Sequence, residues 1–253
     1  MTMINDCFTR KMLSRLLLVI LLLTSLRTLA GYDPVLLSHS TVRVLVKRNG
    51  RVLSCATGFL WQRNDQIVTA LHVMNSDPGT RIIIEFGNVK RLASIVKVLA
   101  KADLVLLKID KPVVGWQPLT HFSSVKPKYQ SDISALGYNR GSAGLSSRDL
   151  KKGYVYPEIL QVLLPPDVLK TLNENQALDV KLPIYYLDGS LLPGYSGAPV
   201  VDSDGVLIGI GNGGLANGTL SVSWVIPASN LTALTQSRNT TLADALPSIH
   251  AVF

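Results

Sequence analysis

With 253 residues, 47% of them apolar and 17% charged, the chain is too apolar for a disordered polypeptide and long enough to bury a core without staples. Its 19 Gly and 13 Pro exclude collagen-like and low-complexity repeats, and two cysteines, Cys7 and Cys55, exclude a disulfide scaffold or an all-cysteine zinc site. The formal net charge of +8 invites a test for nucleic-acid binding, which the distribution of the charge fails.

Residues 1–30 read as a targeting segment. Arg10, Lys11 and Arg15 precede the apolar run Leu16–Leu26, and Thr28-Leu29-Ala30 offers small residues for cleavage before Gly31. The run between Arg15 and Arg27 has 11 residues. As a helix it reaches roughly 16 Å, about half the ~30 Å hydrocarbon core of a bilayer. A cleaved signal peptide is therefore expected, with an uncleaved anchor as the alternative and no stable membrane anchor once the leader is gone. The leader carries four basic residues and one acid, and its removal takes the charge from +8 to +5. What remains is scattered over turn tips such as Lys47, Arg48 and Arg51, with no basic helix and no aromatic-interleaved stripe. Nucleic acid is not an expected partner. Cys7 leaves with the leader, so Cys55 has no partner within the chain; an exported protein without a disulfide suits a bacterial envelope, periplasmic or secreted.

From Thr41 onward, short apolar runs alternate with turn signals. Thr41–Lys47 alternates, Asn49-Gly50 is a hairpin turn, and Arg51–Trp61 resumes the strand pattern. Gln66–Ala70, Arg81–Phe86, Lys90–Leu99 and Asp103–Ile109 follow. Beyond the link Lys111–Pro127, strands are expected at Ser131–Gly137, Pro157–Leu164, Leu178–Leu187, Ala198–Asp202, Val206–Ile210 and Leu220–Ile226. Helices are expected at Pro166–Asn173, with proline near its start, and at Ala228–Thr235. Regular short strands with few helices predict an all-β fold: two packed six-stranded antiparallel barrels, one over about 41–115 and one over about 128–230, with a polar tail at 236–253.

The stretch Leu192-Pro193-Gly194-Tyr195-Ser196-Gly197-Ala198-Pro199 sets a serine between glycines just before a strand. A tight turn there exposes a hydroxyl and turns backbone N–H groups outward, and acyl transfer needs both a nucleophile and fixed donors for the oxyanion. Gly194 has the backbone freedom for its N–H to converge with that of Ser196. A serine needs a base. Among His39, His72, His121 and His250, only His72 closes a strand-like run, Gln66–Val73, where a strand holds it beside a loop. The base in turn needs an acceptor, and Asp103 stands directly before the apolar run Leu104–Leu107. Asp110, its rival, abuts Lys111-Pro112 and reads as solvated.

Ala70-Leu71-His72, Ala102-Asp103-Leu104 and Gly194-Tyr195-Ser196-Gly197-Ala198-Pro199, in the order His, Asp, Ser, resemble the chymotrypsin-fold serine proteases, most closely the trypsin-like peptidase branch that includes HtrA-type enzymes. The resemblance spans about residues 41–230. Thr57-Gly58-Phe59-Leu60, Asp188, Gly209-Ile210 and Val225-Ile226-Pro227-Ala228-Ser229-Asn230 match further. It implies His72, Asp103 and Ser196 as catalytic residues, Gly194 and Ser196 as oxyanion donors, and Ile210-Gly211-Asn212 as the strand that pairs with substrate and forms one pocket wall. A polypeptide substrate is implied; no metal and no organic cofactor is.

Several positions depart from that pattern. Ala198 replaces the second glycine after the serine, where a methyl group could crowd the turn. Tyr195 stands where classical trypsins carry the aspartate that pairs with a newly cut N-terminus, and no Ile-Val-Gly-Gly start occurs, so that zymogen switch is not expected. Val73 stands where the partner of Cys55 would be, leaving Cys55 as a small buried apolar residue. No peptide-binding module is expected after residue 230. Ser190, six residues before Ser196, takes the place of an acid that selects Lys or Arg. With Ser221 and Ser223 narrowing the pocket, a small or medium apolar side chain is expected at the cleavage site.

Two functions remain: an exported serine endopeptidase, and a non-catalytic protein-binding module on the same fold. Tyr195, Ala198 and the long Lys151–Ser190 segment, which could block the cleft, motivate the second. The full set of three residues favours the first. An α/β-hydrolase esterase is excluded, since that fold runs Ser, acid, His. Sequons at Asn217, Asn230 and Asn239 matter only in a eukaryotic secretory route.

Overall fold

The computed structural model of the protein describes residues 31–140, 142–175, 179–214 and 222–240. The leader, Asn217, Ser221, His250 and the end of the tail lie outside them. Six strands rich in β-branched and aliphatic residues form the first barrel: β1 (Thr41–Arg48), β2 (Arg51–Leu60), β3 (Gln66–Ala70), β4 (Thr80–Phe86), β5 (Val89–Leu99) and β6 (Leu104–Ile109). The second holds β7 (Asp132–Tyr138), β8 (Leu145–Lys152), β9 (Tyr185–Asp188), β10 (Pro199–Asp202), β11 (Leu207–Gly214) and β12 (Val222–Pro227). Both are closed and antiparallel. The first runs β1-β2-β3-β6-β5-β4 and the second, taken in the same sense, β7-β8-β9-β12-β11-β10, so one topology occurs twice although the sequence carries no visible repeat.

Two strand expectations fail, and they cancel in the count of six. Pro157–Leu164 is not a strand. Only Ile159 makes a bridge, to Pro183, before the short helix α1 (Leu160–Leu163). Leu160 and Leu164, both buried, lie four residues apart, which is the spacing of a helical face and not of a strand. Conversely, Leu145–Lys152 is a strand with the poor β-forming sequence LSSRDLKK. Full-length pairing with β7, and pairing with β9 at its end, override local preference. Among the described residues of the expected strand Leu178–Leu187, only Tyr185–Leu187 lies in a strand, β9 (Tyr185–Asp188), downstream of Pro183. Helix α2 (Pro166–Asn175) begins at its proline as expected, and α3 (Asn230–Gln236) starts two residues later than its sequence pattern suggests. The sequence pattern gives no sign of a short N-terminal helix, Pro34–Ser38; the Asp33 carboxylate caps it by accepting from the Val35 N–H.

Each barrel has its own filling. Val44, Leu60, Ile67, Ile84, Val105 and Leu107 pack inside the first, and Ile133, Ala135, Leu187, Val200, Ile208 and Val225 inside the second. Each such Val, Leu or Ile side chain, fully buried, contributes about 1.5–3 kcal/mol. A third cluster fills the seam between the barrels: Phe59, Trp61, Val68 and Leu104 meet Leu207, Ile210, Trp224 and Ile226 there. Leu160, Leu164, Val180 and Ile184, from the long Lys151–Ser190 segment, join this same cluster, which also holds Ala102 and Leu104, and the Asp179 N–H donates to the Lys101 carbonyl at 3.1 Å. The segment thus braces the turn that leads into β6.

Cys55 corrects the reading of a buried apolar residue. Its thiol is half-buried and accepts from the Arg43 Nε–H at 3.3 Å, in a patch where Arg43 also meets Glu85. Burial by itself raises the Glu85 carboxyl, but hydrogen bonds and charge from Lys90 and Arg43 outweigh it and hold the group below its ordinary value. The Arg63 hydrogen bond lowers Asp65 likewise, against burial and with help from Lys108. A carboxyl depressed in the folded state contributes stability that is present above its unfolded pKa and lost as pH falls through its folded one. Stability is therefore expected to decline on acidification through and below the normal carboxylate range. Urea unfolding from neutral to acid pH should show Glu85→Gln with lower stability at neutral pH and a shallower acid decline.

Candidate active site

The seam has one edge where chemistry-bearing residues gather. β3 ends in Ala70, and a single 3-10 turn, Leu71–Val73, carries His72. β3 pairs antiparallel with β6, with Ala70 opposite Leu104, so the residue preceding β6 lies beside the histidine turn. That residue is Asp103, in the left-handed conformation at φ 54° that aspartate tolerates better than most side chains. Its backbone carbonyl accepts from the Leu71 N–H, and its carboxylate reaches across the turn.

The carboxylate of Asp103, 4% exposed, collects three donors. Oδ1 accepts from the His72 backbone N–H at 2.8 Å. Oδ2 accepts from His72 Nδ1 at 2.5 Å and from Asn212 Nδ2 at 2.5 Å. With the proton on Nδ1, Nε2 is left as an acceptor, and it stands 3.0 Å from Ser196 Oγ. His72, Asp103 and Ser196 are thus brought together from sites 31 and 124 residues apart. The serine hydroxyl has a second acceptor at 3.2 Å, the Asn212 carbonyl. This arrangement can pass a proton from an alcohol to an imidazole whose opposite face is held by an anion.

Of the other histidines, His39 packs on Trp116 at the end of the N-terminal helix and His121 lies 4.3 Å from the Tyr32 ring. Asp110 is exposed and accepts from the Lys111 N–H, as its setting suggested.

Gly194 adopts φ 102°, and a Cβ there would fall 2.2 Å from the Tyr138 carbonyl oxygen, so no larger residue fits. The Pro193 carbonyl accepts from the Arg140 N–H at 2.8 Å. Because the peptide is planar and trans, this turns the Gly194 N–H to the opposite side. Among the described residues, neither the Gly194 nor the Ser196 N–H has an acceptor. Tyr195, wholly buried, fills the space beneath the turn, and its hydroxyl meets the Ser146 carbonyl at 2.9 Å and hydroxyl at 2.7 Å. An internal side chain therefore anchors the turn from below. Ala198 does not crowd it: even a Cβ added to Gly211 would meet the Ala198 methyl at 3.5 Å, an ordinary contact.

The sequence of the trypsin-like peptidase domain matches residues 56–210, more than half of the chain and all three residues of the cluster. The chain belongs to the trypsin-like peptidase family. It is a serine endopeptidase, a hydrolase. A search of curated proteins returned no match. Among solved structures, the active form of the Rv3671c protease from M. tuberculosis is similar at 20% identity and TM-score 0.61, covering 84% of this chain and 90% of that one. The serine endoprotease from Yersinia pestis is similar at 17% identity and TM-score 0.59, over 81% of this chain and 66% of that one. The HtrA-type protease AlgW with tripeptide gives 18% identity and TM-score 0.60, over 79% of this chain and 60% of that one.

Within this trypsin-like peptidase the expected substrate strand divides. Ile210 is fully buried in the seam, paired with Pro199 and Ile226, and its side chain is a core residue that presents nothing to a cleft. Gly211 spends its N–H on the Ala198 carbonyl and its carbonyl on the Gly197 N–H. Asn212, 2% exposed, sits in a bulge of β11 and turns its amide inward: Nδ2 donates to Asp103, and Oδ1 accepts from Trp224 Nε1 at 2.7 Å. Only one orientation of the amide satisfies both neighbours. The carboxylate contact was missed in the sequence, where the resemblance implied that Asn212, with Ile210 and Gly211, pairs with substrate and forms one pocket wall. Ser223 is likewise structural; its hydroxyl donates to the Gly189 carbonyl and accepts from the Leu191 N–H.

Proposed function

We propose that this peptidase is exported and cleaves peptide bonds through an acyl-enzyme formed on Ser196. The continuous hydrogen-bonded line from the Asp103 carboxylate through the His72 imidazole to Ser196 Oγ carries this reading. Ser196 Oγ attacks the substrate carbonyl carbon as its proton passes to His72 Nε2, and the oxyanion that forms is held by the Gly194 and Ser196 N–H groups. His72 then gives the proton to the leaving amine, and the C–N bond breaks. Water, deprotonated by the same nitrogen, attacks the ester, releases the acid and restores the serine. Asp103 remains ionised throughout and keeps the imidazole in the required tautomer. The substrate is a polypeptide. Its backbone lies along Asn212–Gly214, the part of β11 whose first carbonyl faces Ser196.

Export rests on the basic, apolar and small-residue order of residues 1–30. Among the described residues no helix is long and apolar enough to cross a membrane. Treatment with diisopropyl fluorophosphate, read by intact mass, should add one diisopropylphosphoryl group with loss of fluoride, on a protein from a secreting host that begins near Gly31. An unlabelled, folded protein would remove the hydrolase mechanism, and an intact leader would remove the cleaved signal.

A small or medium apolar residue is the preference we assign at the cleavage site, resting on Ser190 in place of an acid. Trp224 is buried against Gly213, where even a Cβ would lie 2.5 Å from its ring, and Ser190 contributes no charge. Peptide-library cleavage should be richest after residues such as Ala or Val. A dominant preference for Arg or Lys would overturn this assignment.

A further inference from the structure

One wholly buried residue of the first barrel grips the Ser196 turn, and nothing in the mechanism above uses it. Thr57, on β2, has no exposed surface. Its backbone N–H donates to the Ser196 carbonyl at 3.0 Å. Its hydroxyl donates to the Gly194 carbonyl at 2.7 Å and accepts from the Tyr138 N–H at 2.9 Å. Its own carbonyl accepts from Thr69 Oγ1 at 2.6 Å, three residues ahead of His72. One residue therefore binds the carbonyls of both residues whose N–H groups converge on the proposed oxyanion site, and ties them to the strand that carries the base.

The surroundings are shaped to this contact. A Cβ on Gly197 would stand 2.2 Å from the Thr57 carbonyl oxygen and 2.3 Å from Thr69 Oγ1, so the turn presses directly against the two threonines. Tyr138, whose N–H the hydroxyl satisfies, lies two residues before Arg140, whose N–H holds the Pro193 carbonyl. Gly194 is thereby fixed on both sides: Arg140 sets the peptide plane that bears its N–H, and Thr57 sets the plane that follows.

We propose that Thr57 is a positioning residue that keeps the oxyanion site formed in the resting enzyme, acting through Gly194 and not on substrate. Without its hydroxyl, the Gly194 carbonyl and the Tyr138 N–H lose their shared partner inside a buried seam, and the Gly194–Tyr195 peptide, through which the Gly194 N–H is aligned with that of Ser196, loses that hold. The inference rests on Ser196 as nucleophile. Its mark is a loss of transition-state stabilisation with the base unaffected.

The test is the second-order rate of inactivation of the full chain by diisopropyl fluorophosphate across a pH series, with Ser196 labelling confirmed by mass. Thr57→Val, nearly isosteric, should lower the high-pH plateau by about 10- to 100-fold, less than the 10²–10³-fold of removing an oxyanion donor outright. The midpoint of the profile, which reports the base, should stay in place, and Thr57→Ser should recover the rate to within about threefold of the parent. A wild-type plateau in Thr57→Val overturns the proposal. So does a shifted midpoint, or a serine variant as slow as the valine one. Should Thr57→Val not fold, Thr57→Cys, which keeps the volume with a feeble donor and acceptor, is read by the same criteria. If the parent itself takes no label on Ser196, the assignment of the nucleophile fails, an outcome distinct from failure of Thr57 alone.

Discussion

Ser196→Ala is expected to lower kcat on a peptide substrate by about a millionfold while KM changes by no more than a few-fold. In the proposed mechanism the hydroxyl is the bond-forming atom, and alanine leaves His72 without a proton to take. What survives, about a thousandfold over the uncatalysed rate, is what the Gly194 and Ser196 N–H groups and substrate binding supply. The fold should not respond. Among the described residues, Ser196 Oγ makes hydrogen bonds only to His72 Nε2 and the Asn212 carbonyl, whereas the bonds that shape the turn run through its backbone to Thr57 and through Tyr195 to Ser146. Single-turnover assays on purified protein, with thermal unfolding alongside, give both readings. Activity above about one per cent of the parent would mean that another group attacks the carbonyl.

Elements that satisfy their own local rules were legible in the sequence. The hairpin at Asn49-Gly50 forms with both turn residues left-handed, and Gln66–Ala70 is a strand over the same five residues that its apolar run marked. His72, Asp103 and Ser196 could be picked out because each combines a chemical side chain with a strand end. Elements that depend on distant partners were not legible. β8 is polar on both faces and owes its extended form to β7, and Leu160 and Leu164 needed their helical spacing weighed against a flanking strand-like composition. The same limit holds in the site. Asn212 and Thr57 act through contacts to residues 109 and 137 positions away, and no local pattern in an Asn-Gly-Gly or Ala-Thr-Gly stretch reports such a contact.

The duplicated topology explains why the site lies where it does. Each barrel closes on itself, which leaves no free edge, and each buries its own interior. Polar side chains of the seam are therefore the ones that can be shielded from water and still reach a cleft. His72 and Asp103 come from one side of it and Ser196 and Asn212 from the other, so the reacting geometry depends on how Phe59, Leu104, Ile210 and Trp224 pack between them.

Asp103→Asn should reduce kcat by about four decades near neutral pH, with KM nearly unchanged since the residue is almost wholly buried. The carboxylate receives three donors on two oxygens: the His72 N–H on Oδ1, and His72 Nδ1 and Asn212 Nδ2 on Oδ2. An amide of the same shape has one oxygen and one NH₂ group, so one set of donors must face another donor. If the NH₂ takes the Oδ2 position, His72 Nδ1 has to accept. Its proton then moves to Nε2, which can no longer draw the hydrogen from Ser196. If the NH₂ takes the Oδ1 position, the tautomer survives but the His72 backbone N–H is left buried against a donor, at about 1–3 kcal/mol of stability. The first arrangement is the one expected: it keeps the rigid backbone bond from His72, and the donor it leaves facing the NH₂ is the side chain of Asn212. Inactivation by diisopropyl fluorophosphate should slow in parallel with kcat, because in the proposed mechanism both reactions use the same basic nitrogen. A variant that loses less than tenfold would show that Asp103 does not set the tautomer of His72.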